Sequence, residues 1–204
     1  MKNLQTAILT SRICINSSVS YLDPSNYFLI FGLRQSLFSI INPTLFRHSL
    51  KTSFLIIESF IKKKYKFIII TNIKSPTLFL KFYHICKKKN IFLLKDSETS
   101  TGFLTNKIVT NTVILTLFLD TRKTELIQTE CARVRVPLIS FSDLTANKFS
   151  SSIFVCGNFN SFLAQNLILT LLSICFEQKY FKNGNKYDIK YPSSELLNFQ
   201  FICK

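Results

Sequence analysis

With 204 residues, of which 47% are hydrophobic, the chain is long enough to bury one sizeable core and reads most economically as a single α/β domain with tails. Its formal net charge of +15, from 26 basic against 11 acidic residues, points to a polyanionic partner, either nucleic acid or an acidic membrane surface. Lysine outnumbers arginine 20 to 6, Phe occurs 21 times, and Gly and Ala four times each, a usage expected of an A+T-rich coding sequence and so of an organellar genome.

Residues 1–21 read as an irregular N-terminal extension, lacking the sustained apolar run of a secretory signal. Tyr27–Phe31 is strand-like, and Gly32 offers a turn ahead of Arg34. Pro43 introduces a helix over Thr44–Ile61, and the run Lys62–Lys64 closes it, suited to the negative end of the helix dipole. Lys66–Thr71 predicts a short buried strand. Pro76 opens a second helix to about Cys86, closed by Lys87–Lys89. Ile91–Lys95 is the next strand, followed by a polar loop over Asp96–Thr105.

The stretch from Val113 to Asn147 then reads as one β-α-β unit. Val113–Leu119 is a continuous branched apolar run, the pattern of a strand buried on both faces of a parallel sheet. Asp120 and Thr121 offer capping oxygens for a helix whose apolar positions include Leu126, Ile127, Cys131 and Val134. Pro137–Phe141 begins another strand, ending near Asp143. A second loop spans Ser142–Ser152, a helix runs from about Asn160 to Glu177, and residues 178–204 form a polar and aromatic tail.

Alternating strands and helices predict a parallel sheet flanked by helices, a three-layer flavodoxin-like or Rossmann-like α/β fold over 22–177 with right-handed crossovers. In such a sheet both lysine runs fall where a helix returns to a strand. They should therefore share one rim, opposite the rim where α/β enzymes bind ligands.

That ligand rim looks poor in chemistry. Neither GxGxxG nor GxxxxGK[ST] occurs, and the turn after the first core strand reads Thr71-Asn72-Ile73-Lys74, which lacks the glycines of a phosphate cradle. Asp120 and Asp143 remain at strand ends. One reading makes them a magnesium site of a phosphotransfer-type enzyme; the other makes Asp120 a helix cap and Asp143 a turn former. His48 and His84 both sit in helical stretches, so a histidine-based triad is not expected, and the residues favour a chain that is not an enzyme. The six cysteines form no CxxC pair and no zinc spacing; Cys131 and Cys175 read as small core residues, in a reducing compartment. Phe162–Phe176 is too short and too interrupted, by Gln165 and Asn166, to span a membrane, and reads as a buried amphipathic helix.

Several segments, taken together, resemble one family. Pro24, Gly32 and Arg34 lie in LDPSNYFLIFGLRQSLFSIINP; Gly102, Leu104, Thr105 and Asn106 end a Gly-x-Leu-Thr-Asn word; Leu119-Asp120-Thr121 and Lys123 precede Glu130, Ala132 and Arg133; Pro137 precedes Asp143; and Gly157-Asn158 precedes a helix. In this order and spacing they resemble the second protein of the small ribosomal subunit, the S-two family, over about Leu22 to Glu177. The chain departs from that family at Gln35, Ser36 and Phe38, which replace Asn, Gly and His. It departs again at Lys107–Thr112, which stands where the family carries a long helical hairpin.

The resemblance implies a non-enzymatic structural protein without cofactor or metal, contacting small-subunit rRNA and neighbouring small-subunit proteins, with no small-molecule substrate and no membrane insertion. Combined with the codon bias, it implies a mitochondrial ribosome, with a plastid as the alternative compartment. A free RNA-binding adaptor is a further alternative. The candidate phosphate contacts are Arg34, Lys62, Lys63, Lys64, Lys87, Lys88, Lys89 and Lys107, followed by Arg122 and Lys123. Tyr65 and Phe82 are candidates for base stacking, with core packing the favoured role.

Overall fold

A computed structural model describes residues 2–18, 22–34, 38–106, 111–147 and 151–177. In chain order it comprises α1 (Lys2–Thr10), β1 (Ile15–Ser18), a 3-10 turn (Pro24–Leu29), β2 (Ile30–Arg34), β3 (Phe38–Ile41) and α2 (Pro43–Lys62). Then follow β4 (Lys66–Thr71), α3 (Pro76–Lys88), β5 (Phe92–Lys95), β6 (Thr112–Leu117), α4 (Thr121–Val134), β7 (Leu138–Ser142), β8 (Ile153–Cys156) and α5 (Phe162–Glu177).

The last five strands pair in parallel in the order β5-β4-β6-β7-β8. This is the expected flavodoxin-like α/β sheet, with the strand order reversing between β4 and β6. Every position of β6 is buried, as a central strand covered on both faces requires. On one face Phe67, Leu115, Ile139 and Phe141 pack with Leu50 and Ile57 of α2, Phe82 of α3 and Ile168 and Phe176 of α5. On the other, Ile70, Ile114 and Leu138 meet Ile127 and Cys131 of α4 and Leu104 of the preceding turn. Placing α3 and α4 on opposite faces is what one crossover hand demands when the strand order reverses. Each fully buried Leu, Ile or Phe contributes on the order of 2 kcal/mol through the apolar area removed from water.

Three expectations are corrected. Residues 2–18 are not irregular: they form α1 and β1, with Ile8, Ile13 and Cys14 buried in the main core. Gly32 makes no turn but lies inside β2, opposite Ile40, and the strand expected from Tyr27 starts only at Ile30, because Asp23 caps a 3-10 turn by accepting the Ser25 N–H at 2.8 Å. With β1 and β3, β2 forms a separate antiparallel sheet in the order β1-β3-β2. The parallel sheet gains its fifth strand instead from β8, a four-residue run between the loop expected over Ser142–Ser152 and the helix expected from Asn160, where the sequence predicts no element.

The small sheet docks at the carboxyl ends of the parallel strands. Asn26 donates to the carbonyls of Leu144 and Ala146, both at 2.8 Å, and Asn158 donates to the carbonyl of Ile15 at 2.6 Å. Gly157 lets this happen, since a Cβ there would stand 2.8 Å from Cγ2 of Ile13. Helix α5 is buried on most sides, including Leu167, Ile168, Leu169, Leu171 and Leu172, and packs on α2 and α3. No helix among the described residues is long and apolar enough to cross a membrane.

Candidate nucleic-acid interface

Three helices return to the sheet through the same kind of turn. After α2, Lys64 adopts a left-handed φ of 59°, its N–H reaches the carbonyl of Ile61 and the Tyr65 N–H that of Phe60. After α3, Asn90 (φ 54°) and Ile91 repeat the pattern onto Lys87 and Cys86, and after α4, Arg135 (φ 57°) and Val136 repeat it onto Ala132 and Cys131. Each turn satisfies carbonyls that a helix end would otherwise leave orphaned.

Because β4, β5 and β7 run in parallel, these three turns lie on one rim, at the amino ends of the strands. Lys62, Lys63, Lys64, Lys87, Lys88 and Lys89 are all exposed there, as the sequence predicts. Lys66, Arg133 and Arg135 join them, three residues beyond the ridge that the two lysine runs define in the sequence. The signal that points to Arg135 is its place just before Val136-Pro137, at the third helix-to-strand junction. Lys62 is the one member with an ion pair among the described residues, 2.6 Å from Glu58 one helical turn earlier. Beside Arg135 the rim holds an open hollow of about 480 Å³, bounded by Cys131, Ala132, Val136, Pro137, Leu138, Ser151 and Ser152.

The other candidates lie elsewhere. Arg34 ends β2 in the small sheet and is exposed. Arg122 and Lys123 are in the first turn of α4, on the opposite rim from the lysine runs, and Lys123 Nζ donates to the carbonyl of Thr99 at 3.2 Å. Lys107 lies outside the described residues, as does the tail over 178–204. Phe82 is buried, and Tyr65 packs edge-on to Phe60 with ring centroids 5.1 Å apart, so both aromatics pack in the protein.

The carboxyl rim holds a narrow cleft of about 170 Å³ at the point where the strand order reverses. Lys74, Phe118, Asp120, Asp143, Phe159, Asn160 and Gln165 line it. Asp120 stands at the N-cap of α4, but its side chain makes no capping bond, a correction to the expected role. The Asp120 backbone carbonyl instead accepts the Thr124 hydroxyl at 3.0 Å and the Thr124 N–H at 2.9 Å. Asp143 does organise a turn, its carbonyl accepting the Ala146 N–H at 3.2 Å. Burial pushes the Asp143 carboxyl above its ordinary value; the Phe159 N–H, Lys74 and Asn160 pull it down, and the charge of Asp120 adds to the rise. No group of three or more potential metal ligands occurs among the described residues.

Cys14, Cys86, Cys131, Cys156 and Cys175 are buried free thiols. Burial pushes Cys86, Cys131 and Cys175 up to about 12 and Cys14 to about 11, so these thiols stay protonated at neutral pH and pack as core residues. No protein-family model matches the chain, and comparison with curated proteins gives no significant match.

Proposed function

We propose that this chain is a structural protein of the small ribosomal subunit of an organelle, that of the mitochondrion first and of the plastid as the alternative. On this reading it is not an enzyme and grips rRNA through the basic rim at the amino ends of its parallel strands. The observation that carries the proposal is the stacking of Lys62–Lys64, Lys87–Lys89, Arg133 and Arg135 on three successive helix-to-strand turns of one sheet edge, all exposed. Such a ridge exceeds what solubility needs and suits a phosphate backbone read by shape, with counterion release supplying the affinity. The hollow beside Arg135, at about 480 Å³, is of a size to accept a splayed nucleotide.

Two further features support the reading. The segments that carry the resemblance to the S-two family touch one another: Glu130 holds Gly102 and Leu104, Asn26 holds the loop after Asp143, and Asn160, just past Gly157-Asn158, donates to Asp143 at 3.4 Å. The phosphotransfer alternative is also weakened by its own residues. Lys74 lies close enough to Asp143 to offset its charge, and among the described residues no third carboxylate, histidine or cysteine joins Asp120 and Asp143.

Binding of the full chain to small-subunit rRNA, measured against salt concentration, tests the interface. Replacing Lys87, Lys88 and Lys89 with alanine should lower affinity and flatten the log–log salt slope by roughly 0.7–0.9 for each phosphate that is no longer neutralised. An unchanged slope would put the rRNA on another face of the protein. A free adaptor would show the same slope without travelling with ribosomal particles.

A further inference from the structure

We propose that the cleft at the carboxyl ends of β4, β6 and β7 binds a guanidinium group, carried on an arginine side chain of a neighbouring polypeptide. It lies on the rim opposite the basic ridge and does not depend on RNA binding there. Its volume of about 170 Å³ is well under the 300–1,000 Å³ of sites for drug-sized ligands, so it takes a single side-chain group and excludes a nucleotide.

The hydrogen-bonding inventory of the cleft is unbalanced. Asp143 Oδ2 accepts from Asn160 at 3.4 Å and the Phe159 N–H also faces the carboxylate, but Oδ1 is buried with no hydrogen bond of good geometry. Gln165, only 3% exposed on α5, brings a side-chain amide to the lining of the cleft. The Asp120 carboxylate makes no capping bond, while the Lys74 ammonium already donates to the Asn160 side-chain Oδ1 at 3.2 Å. A buried acceptor without a donor is costly, so an occupant that donates hydrogen bonds is favoured. Two carboxylates against one ammonium also make this a locally acidic spot on a chain of net charge +15. Among the lining side chains this balance favours a cationic occupant over an anion.

The walls decide which cation. Magnesium demands near-octahedral oxygen and sheds its water reluctantly, whereas Phe118, Leu119 and Phe159 offer no ligand on their side of the cleft. A lysine ammonium is a compact, strongly hydrated charge. A guanidinium is weakly hydrated, donates through a planar fork to a carboxylate and lies against aromatic surfaces, and here Phe118 and Phe159 stand with ring centroids 5.2 Å apart. All six arginines of the chain are among the described residues and none lines the cleft, so the group comes from another molecule.

Nuclear magnetic resonance titration of the full chain tests this, with N-acetyl-arginine amide, N-acetyl-lysine amide and magnesium chloride as probes. The arginine probe should give saturable shifts of the Gln165 and Asn160 side-chain amides, about tenfold tighter than the lysine probe. Asp143→Asn should weaken the arginine response about tenfold, and Asp120→Asn, at an exposed position, should weaken it several-fold even if the Asp143 variant does not fold. No saturable response to the arginine probe would overturn the proposal. So would tighter binding of magnesium at the same resonances, or indifference to Asp120→Asn. A failure of RNA binding at the other rim would leave these shifts unchanged, so the two readings fail separately.

Discussion

Glu130 on α4 grips the backbone of Gly102, 28 residues earlier: one carboxylate oxygen accepts the Gly102 N–H at 2.6 Å and the other the Leu104 N–H at 2.9 Å. Gly102 is fitted to this, with φ 84° and a Cβ position that would stand 2.9 Å from the Asn106 amide. The clamp seats Leu104, 1% exposed, in the core under α4. Removing it by Glu130→Ala strands two N–H groups and removes two charge-assisted bonds, a loss of about 2–4 kcal/mol. Glu130→Gln, which keeps one acceptor oxygen, should lose less. Denaturant unfolding of both variants checks the ranking, and an alanine variant as stable as the parent would contradict it.

Lys64 and Arg135 hold left-handed backbone at turns where glycine is the least strained residue. Lys64→Gly and Arg135→Gly should each raise stability by about 1 kcal/mol, from relief of that strain. Each should also weaken rRNA binding by removing a charge from the ridge. A gain in thermal stability together with a loss in RNA affinity is the expected pairing. Equal RNA affinity in the glycine variants would remove these two residues from the interface.

Asp143 carries a pH signature. Its carboxyl is raised in the folded chain, first by burial and then by Asp120, against the Phe159 N–H, Lys74 and Asn160. The folded state therefore holds the proton more tightly than the unfolded one, and stability falls as pH rises from the ordinary carboxylate range through the raised value. Asp143→Asn should abolish that fall. The variant should gain on the parent as pH rises toward neutrality and lose the advantage in acid. Thermal melts from acid to neutral pH measure it, and parallel curves would contradict the assignment.

Thr116, wholly buried on central strand β6, has a hydroxyl without a hydrogen-bond partner. Thr116→Val keeps the shape and removes the orphaned group, so it should stabilise the fold by about 1 kcal/mol. Calorimetry that shows destabilisation would reveal a partner for the hydroxyl.

The central sheet is legible in the sequence because its strands are doubly buried and need no alternation. KFIIIT and Val113–Leu119 stand out as apolar runs, and the lysines that follow α2 and α3 mark where each helix ends. β8 is hidden because four apolar residues between a polar loop and a helix carry no period of their own. The N-terminal α1 and β1 are hidden for a different reason. Their order comes from long-range contacts, among them the Asn158 N–H to the Ile13 carbonyl at 2.8 Å, which no local pattern encodes. Within the basic ridge the two lysine runs can be read from topology alone. Arg135 is harder, since its place depends on a turn shared with helices far away in sequence. Asp120 misleads in the opposite direction: it occupies the cap position, yet the Thr124 hydrogen bonds go to its backbone and leave its carboxylate free for the cleft.

The most direct test of the ribosomal reading is sedimentation of the tagged chain from an organellar lysate, before and after a high-salt wash. Co-migration with the small subunit through the wash is expected, with partial release when Lys63, Lys64, Lys87, Lys88 and Lys89 are replaced together by alanine. Migration as a free species, with or without salt, would contradict it.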